Sequence, residues 1–150
     1  MVVSLTGADT LILDGRVLAD LADGDTAALE FANDLVGMKT GKNGNALYAK
    51  NATGQNGALT LRVIRGSADD KYLNSRMSEY IQDSAAFTLI EGEFVKRAGD
   101  GDGNVTNDKY KCDGGVIQKI PGAKENQEGD IEQSVTIWQI MFARVRRIMA

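Results

Sequence analysis

The sequence predicts a mainly β fold: an antiparallel β-sandwich or barrel-like subunit with one flanking α-helix over about residues 67–84, spanning residues 1–150 as a single domain. Three observations predict it. Seventeen glycines stand against one proline, many of them beside Asn or Asp, which is the composition of tight turns between strands. Apolar residues recur in short alternating runs of strand length. Only one segment carries the 3.6-residue spacing of a helix.

The elements follow in order. Thr10 to Leu13 and Arg16 to Leu18 read as two short strands about an Asp14-Gly15 turn, and a second turn lies around Asp23-Gly24. TAALEFA, residues 26–32, places Ala27, Leu29 and Phe31 on one face and Thr26, Ala28 and Glu30 on the other, the period of a half-buried strand. Residues 37–44 are polar, basic and glycine-rich, with Asn43-Gly44 as a strong turn signal, and read as a long hairpin or mobile loop. ALTLRVIR, residues 58–65, is a strand with Leu59, Leu61 and Val63 on one face.

After Gly66, Ser67 can cap a helix, Asp70 stands three residues on, and Leu73, Met77, Tyr80 and Ile81 fall at helical spacing. Strands resume at 88–96 and 109–120, and a polar linker through Glu128-Gly129 leads to SVTIWQIMFARVRRI, residues 134–148. Strict alternation there would put Val135, Ile137, Gln139, Met141, Ala143 and Val145 on one face and Thr136, Trp138, Ile140, Phe142, Arg144 and Arg146 on the other. Both faces are largely apolar. Such a strand needs cover on both sides, from the helix, a second sheet or another subunit. Val135, Ile137, Trp138, Ile140, Met141 and Phe142 are therefore the candidate core and subunit-contact residues.

Composition excludes several function classes. Seventeen basic against 21 acidic residues, a net of -4, lack the clustered cationic surplus of a nucleic-acid grip. Arg144, Arg146 and Arg147 are too small and isolated a cluster to change that. No histidine is present, which removes the commonest general base and transition-metal ligand. The lone Cys112 allows no internal disulfide and reads as a small core residue. The N-terminal stretch has neither a basic n-region nor a sustained apolar run, so no membrane anchor is expected and the cytoplasm is the natural site of folding. No acid/base pair, nucleophile with partner or cofactor motif stands out, and the expectation is a non-enzyme without cofactor or metal.

Two loops invite a sharper reading. AGDGDGNVTNDKYKCDGG, residues 98–115, spaces Asp100, Asp102, Asn104 and Asp108 like calcium ligands. An EF-hand needs glycine at its sixth position and glutamate at its twelfth; counting from Asp100 gives Val105 and Lys111, and counting from Asp102 gives Asn107 and Asp113. The segment is expected to be a metal-free hairpin tip from Asp100 to Asp108. GMKTGKN, residues 37–43, has three residues between its glycines and no following helix, so it lacks what lets a phosphate loop hold phosphate. Its Lys39 and Lys42 are free to meet acidic groups of a neighbouring chain, or simply to be solvated.

With these elements placed, LADGDTAALEFANDL (21–35), TGKNGNALYAKN (40–51) and ALTLRVIRGSADDKYLNSRM (58–77) resemble, in order and pattern, the small tail tube proteins of contractile-tailed bacteriophages. The resemblance covers about residues 20–80 well and the later strands by arrangement, and the acidic-glycine stretch 99–108 is not part of it. It implies a virion structural protein, assembled in the bacterial host cytoplasm, that forms stacked hexameric rings. The hollow conduit would pass DNA without binding it specifically, with sheath and baseplate proteins as partners. A ring-stacking loop at Gly37, Lys39, Gly41, Lys42, Asn43 and Gly44 is the corresponding expectation. Two alternatives stay open: the tube of a phage-derived bacteriocin or secretion needle, and a monomeric small-ligand-binding β-barrel.

Overall fold

The computed structural model describes residues 1–5, 9–125 and 127–149. Among these residues ten strands, one α-helix and a short 3-10 helix follow in the order β1 Ser4–Leu5, β2 Thr10–Leu13, β3 Arg16–Val17, β4 Ala27–Phe31, β5 Val36–Thr40, β6 Ala46–Lys50, β7 Gly57–Ile64, α1 Ala68–Gln82, β8 Ile90–Gly99, β9 Val105–Lys119, the 3-10 helix Ile131–Ser134 and β10 Val135–Met149. Eight strands form one antiparallel sheet, ordered β3-β2-β8-β9-β10-β7-β4 with β1 added beside β8, and β5-β6 form a separate two-stranded sheet. The expected mainly β class with one helix is what the chain adopts. The sheet curls without closing.

Its curl is visible in the core. Leu11 and Leu13 of β2 share one cluster with Leu59, Leu61 and Val63 of β7, although these strands lie toward opposite ends of the sheet. The gap between them is spanned by residues 18–22: Leu18 N donates to Leu11 O, and Ala22 N to Arg62 O at 2.8 Å. Leu21 bridges Val63. Trp138, Ile140 and Phe142 fill the centre. Strand β7 follows its sequence pattern, with Gly57, Leu59, Leu61 and Val63 inward.

Strand β10 departs from strict alternation. Thr136, Trp138, Ile140 and Phe142 are buried as one set, but the next buried residue is Val145, not Arg144. The parity changes beside Gly114 of β9, which has φ 70° and sits under Ala143. A left-handed glycine lets one strand kink and re-aim its side chains. Close packing at this point also requires a missing side chain at Gly115, where a Cβ would lie 2.5 Å from Phe142 Cε1.

Helix α1 begins as its sequence predicts, with the Ser67 hydroxyl accepting from Asp70 N. Its seating on the sheet is polar as much as apolar. Leu73 and Asp69 are its buried residues. The Asp69 carboxylate accepts from Ala19 N and Asp20 N, both at 2.8 Å, and from Arg16 Nε at 3.0 Å. Trp138 Nε1 donates to Asp70 Oδ1 at 2.9 Å. Toward its C-terminus the helix leaves the sheet, so Tyr80 and Ile81 are exposed, and Tyr80 meets Phe87 edge-on with ring centroids 5.3 Å apart.

The acidic loop is shorter than its sequence suggests. Pairing continues through Lys96↔Asp108 to Gly99↔Val105, so the tip is only residues 100–104 and Thr106 to Asp108 are strand. Asp100 organises it, accepting from Asp102 N, Asn104 N and Asn104 Nδ2. The Asn104 side chain, then the Asp102 amide, hold its carboxyl below the usual range. Among the described residues no group of three or more His, Cys, Asp or Glu converges for a metal ion, and no helix is long and apolar enough to cross a membrane.

Candidate subunit interface

Among the described residues, three surfaces are left without cover by their own chain. The first is the arm formed by β5 and β6, whose ten residues are all exposed. Pairing Met38↔Tyr48 and Val36↔Lys50 puts Val36, Met38 and Tyr48 on one face, where Met38 is 60% and Tyr48 71% exposed. Gly37 and Lys39 lie on its first strand, with Lys39 opposite Leu47. Gly41, Lys42, Asn43 and Gly44 make its turn: Gly44 N donates to Gly41 O at 3.0 Å, and Gly44 takes φ 78°. The 37–44 segment is thus the first strand and the turn of a formed hairpin whose two strands carry exposed apolar side chains.

The arm has a built base. Asn51 N donates to Leu35 O at 2.9 Å, and the Asn51 carboxamide accepts from Thr53 N and Oγ1. Gly54 packs so close that a Cβ would lie 2.8 Å from Leu35 Cα. One step on, Gln55 O accepts from Val145 N at 2.9 Å, which ties the base to β10.

The second surface is the outer face of β10 and its neighbours. Here the candidate residues separate: Trp138, Ile140 and Phe142 belong to the core, whereas Ile137 is 45% and Met141 46% exposed, with Val135 half-buried. Met141 pairs with Ala58 on one side and Val116 on the other, an apolar row across three strands. Beside it opens an apolar cleft of about 390 Å³, floored by Gly57, Gly114 and Ala143 and rimmed by Asn33, Asn56 and Gln118. The third surface is the edge of the sheet at β4, which among the described residues pairs only with β7. Phe31 at its end is exposed.

Sequence reading identified the hairpin and the apolar strand but not the cleft, whose lining residues are brought together from four separate stretches. The charged groups elsewhere pair locally: Arg147 grips Asp108 with two bonds of 2.8 and 2.9 Å, Arg146 faces Asp113, and Lys109 meets Glu93. Hydrogen bonding from Arg147 holds the Asp108 carboxyl low. Burial pushes the Cys112 thiol up to about 12, which leaves it an inert core group.

The chain matches, over residues 14–150, the family described as bacteriophage PhiTE tail tube protein. It belongs to that tail tube family. As a member, it is a structural protein of a phage tail. None of the curated proteins compared with it matches. Among solved structures, the anti-feeding prophage cap, described as a tube terminating cap, is similar in fold with a TM-score of 0.59 and 12% identity, over 95% of this tail tube chain and 88% of the cap chain.

Proposed function

We propose that the subunit closes side by side into six-membered rings that stack into a hollow tube, with the 37–44 hairpin joining one ring to the next. The observation that carries this reading is the β5-β6 arm: a two-stranded sheet alone in water is marginal at best, and this one is anchored at its base yet fully exposed among the described residues. The unpaired edge of β4 supports lateral closure, since pairing it with a neighbour removes a strand edge that otherwise invites misassembly. An overall net charge of -4 suits a wall past which DNA must slide without sticking. Sheath and baseplate proteins then meet the outer surface and the end of the tube.

Negative-stain electron microscopy of purified protein tests this directly, and rings or tubes are the expected result. Light scattering that shows only a monomer at high concentration would sink it, and would favour the ligand-binding alternative. Removing residues 37–44 is expected to leave rings but no tubes. Full-length tubes from that deletion would refute the stacking role.

A further inference from the structure

Resting on that assembly reading, we infer that the Val36/Met38/Tyr48 face of one subunit's arm seats in the cleft beside Met141 of a second copy of this chain. Each half of the contact explains a feature that its own subunit leaves unexplained. The arm presents three apolar side chains to solvent on one face. The cleft offers an apolar concavity of about 390 Å³, space for on the order of ten waters or their equivalent in side chains.

The cleft's emptiness is built in. The lining residues Gly57, Ala58, Gly114 and Ala143 carry at most a methyl group beyond the backbone, and Gly114 has φ 70° with Ala143 Cβ 3.1 Å from where its own Cβ would be. Small residues at these positions leave a depression that bulky side chains from elsewhere can fill.

Charge points the same way. Residues 35–50 carry Lys39, Lys42 and Lys50 and no acid, on a chain whose net is -4. Next to the cleft, exposed Glu30 pairs across the sheet with Ala58, a lining residue. A basic arm meeting a neutral, polar rim with this one acid beside it favours a docking that brings a lysine toward Glu30. The cleft rim also bears on which copy's arm takes the seat. Ala32, Asn33 and Asn56 lie at the arm's own base, so the arm departs from the rim of its own cleft and is held there by the Leu35–Asn51 bond. An arm on one surface and a seat on another make a head-to-tail contact, which repeats from copy to copy.

Cysteine pairing tests the seat. In the double variant M38C/M141C, mild oxidation is expected to give a ladder of covalent multimers on a non-reducing gel, while either single variant gives none. Ala58→Trp, which fills the cleft from its outer side, is expected to keep the wild-type circular dichroism and to lower tube yield by on the order of tenfold. Tubes seen by microscopy without a ladder, and unaffected by Ala58→Trp, would overturn the seat while leaving tube assembly intact. Wild-type protein that forms no assembly at all would overturn the assembly reading and the seat with it.

Discussion

Asp69 shows how much of this fold depends on single polar groups. Burial by itself would raise its carboxyl pKa, but the Asp20 and Ala19 amides and the Arg16 guanidinium outweigh that and hold it below the ordinary value. A carboxyl lowered in the folded state stabilises the protein above its unfolded pKa of about 3.9, and that contribution disappears as pH falls through the lower folded value. Asp69→Asn is therefore expected to cost about 1.5–3 kcal/mol near neutral pH, the range for hydrogen bonds to a charged group, and to flatten the acid side of the stability profile. Urea melts from pH 7 down to pH 3 check both. Gly115 makes the complementary case through packing. Gly115→Ala would put a Cβ 2.8 Å from Ile90 O as well as against the Phe142 ring, and is expected to destabilise by about 1–3 kcal/mol in thermal melts. Neither role is written in the sequence: Asp69 carries no signal of its own beside the Ser67 cap, and Gly115 falls inside the strand expected over residues 109–120.

Among the elements, legibility followed locality. Strand β7 and the start of α1 were readable because alternation and capping are properties of neighbouring residues. The parity change in β10 was not, because its cause is a glycine on the adjacent strand, and pairing across a sheet leaves no local trace. The hairpin tip after β8 was placed correctly but drawn too long, since Thr106, Asn107 and Asp108 are polar residues made strand by their partners on β8. The same distinction predicts dynamics. Amides of β7, β9 and β10, locked on both sides within the sheet, are expected to exchange slowest, while β5, β6 and the last turn of α1 exchange fastest in unassembled protein. Hydrogen-exchange mass spectrometry measures this, and protection of β5-β6 in the free subunit equal to that of β7 would contradict it. Trp138→Asp or Ile140→Asp bears on the core and not on a contact surface, because both side chains are buried. Either is expected to prevent folding of the subunit itself, visible as lost near-ultraviolet circular dichroism.

At the scale of the whole molecule, the subunit divides into a tied centre and an untied periphery. Core clusters, the Asp69 latch and paired surface charges hold the curled sheet together, while the arm, the outer face of β10 and the edge of β4 remain open. The sequence made the periphery partly visible: the two-faced apolar strand was legible as a feature needing cover and the 37–44 stretch as a hairpin or mobile loop, although the hairpin's exposed apolar face and the cleft between distant segments were not. The arm's bare state has a kinetic consequence. Ordering the ten residues of its two strands costs on the order of 10–20 kcal/mol of backbone entropy, and the free subunit has little burial with which to offset it. The first few copies to meet would bear that cost with few neighbours, whereas a copy joining a finished end finds its surroundings already ordered. Growth would then have a nucleation threshold: a pool of subunits stays dispersed below a critical concentration, and a preformed template, not concentration alone, decides where and when a tube begins.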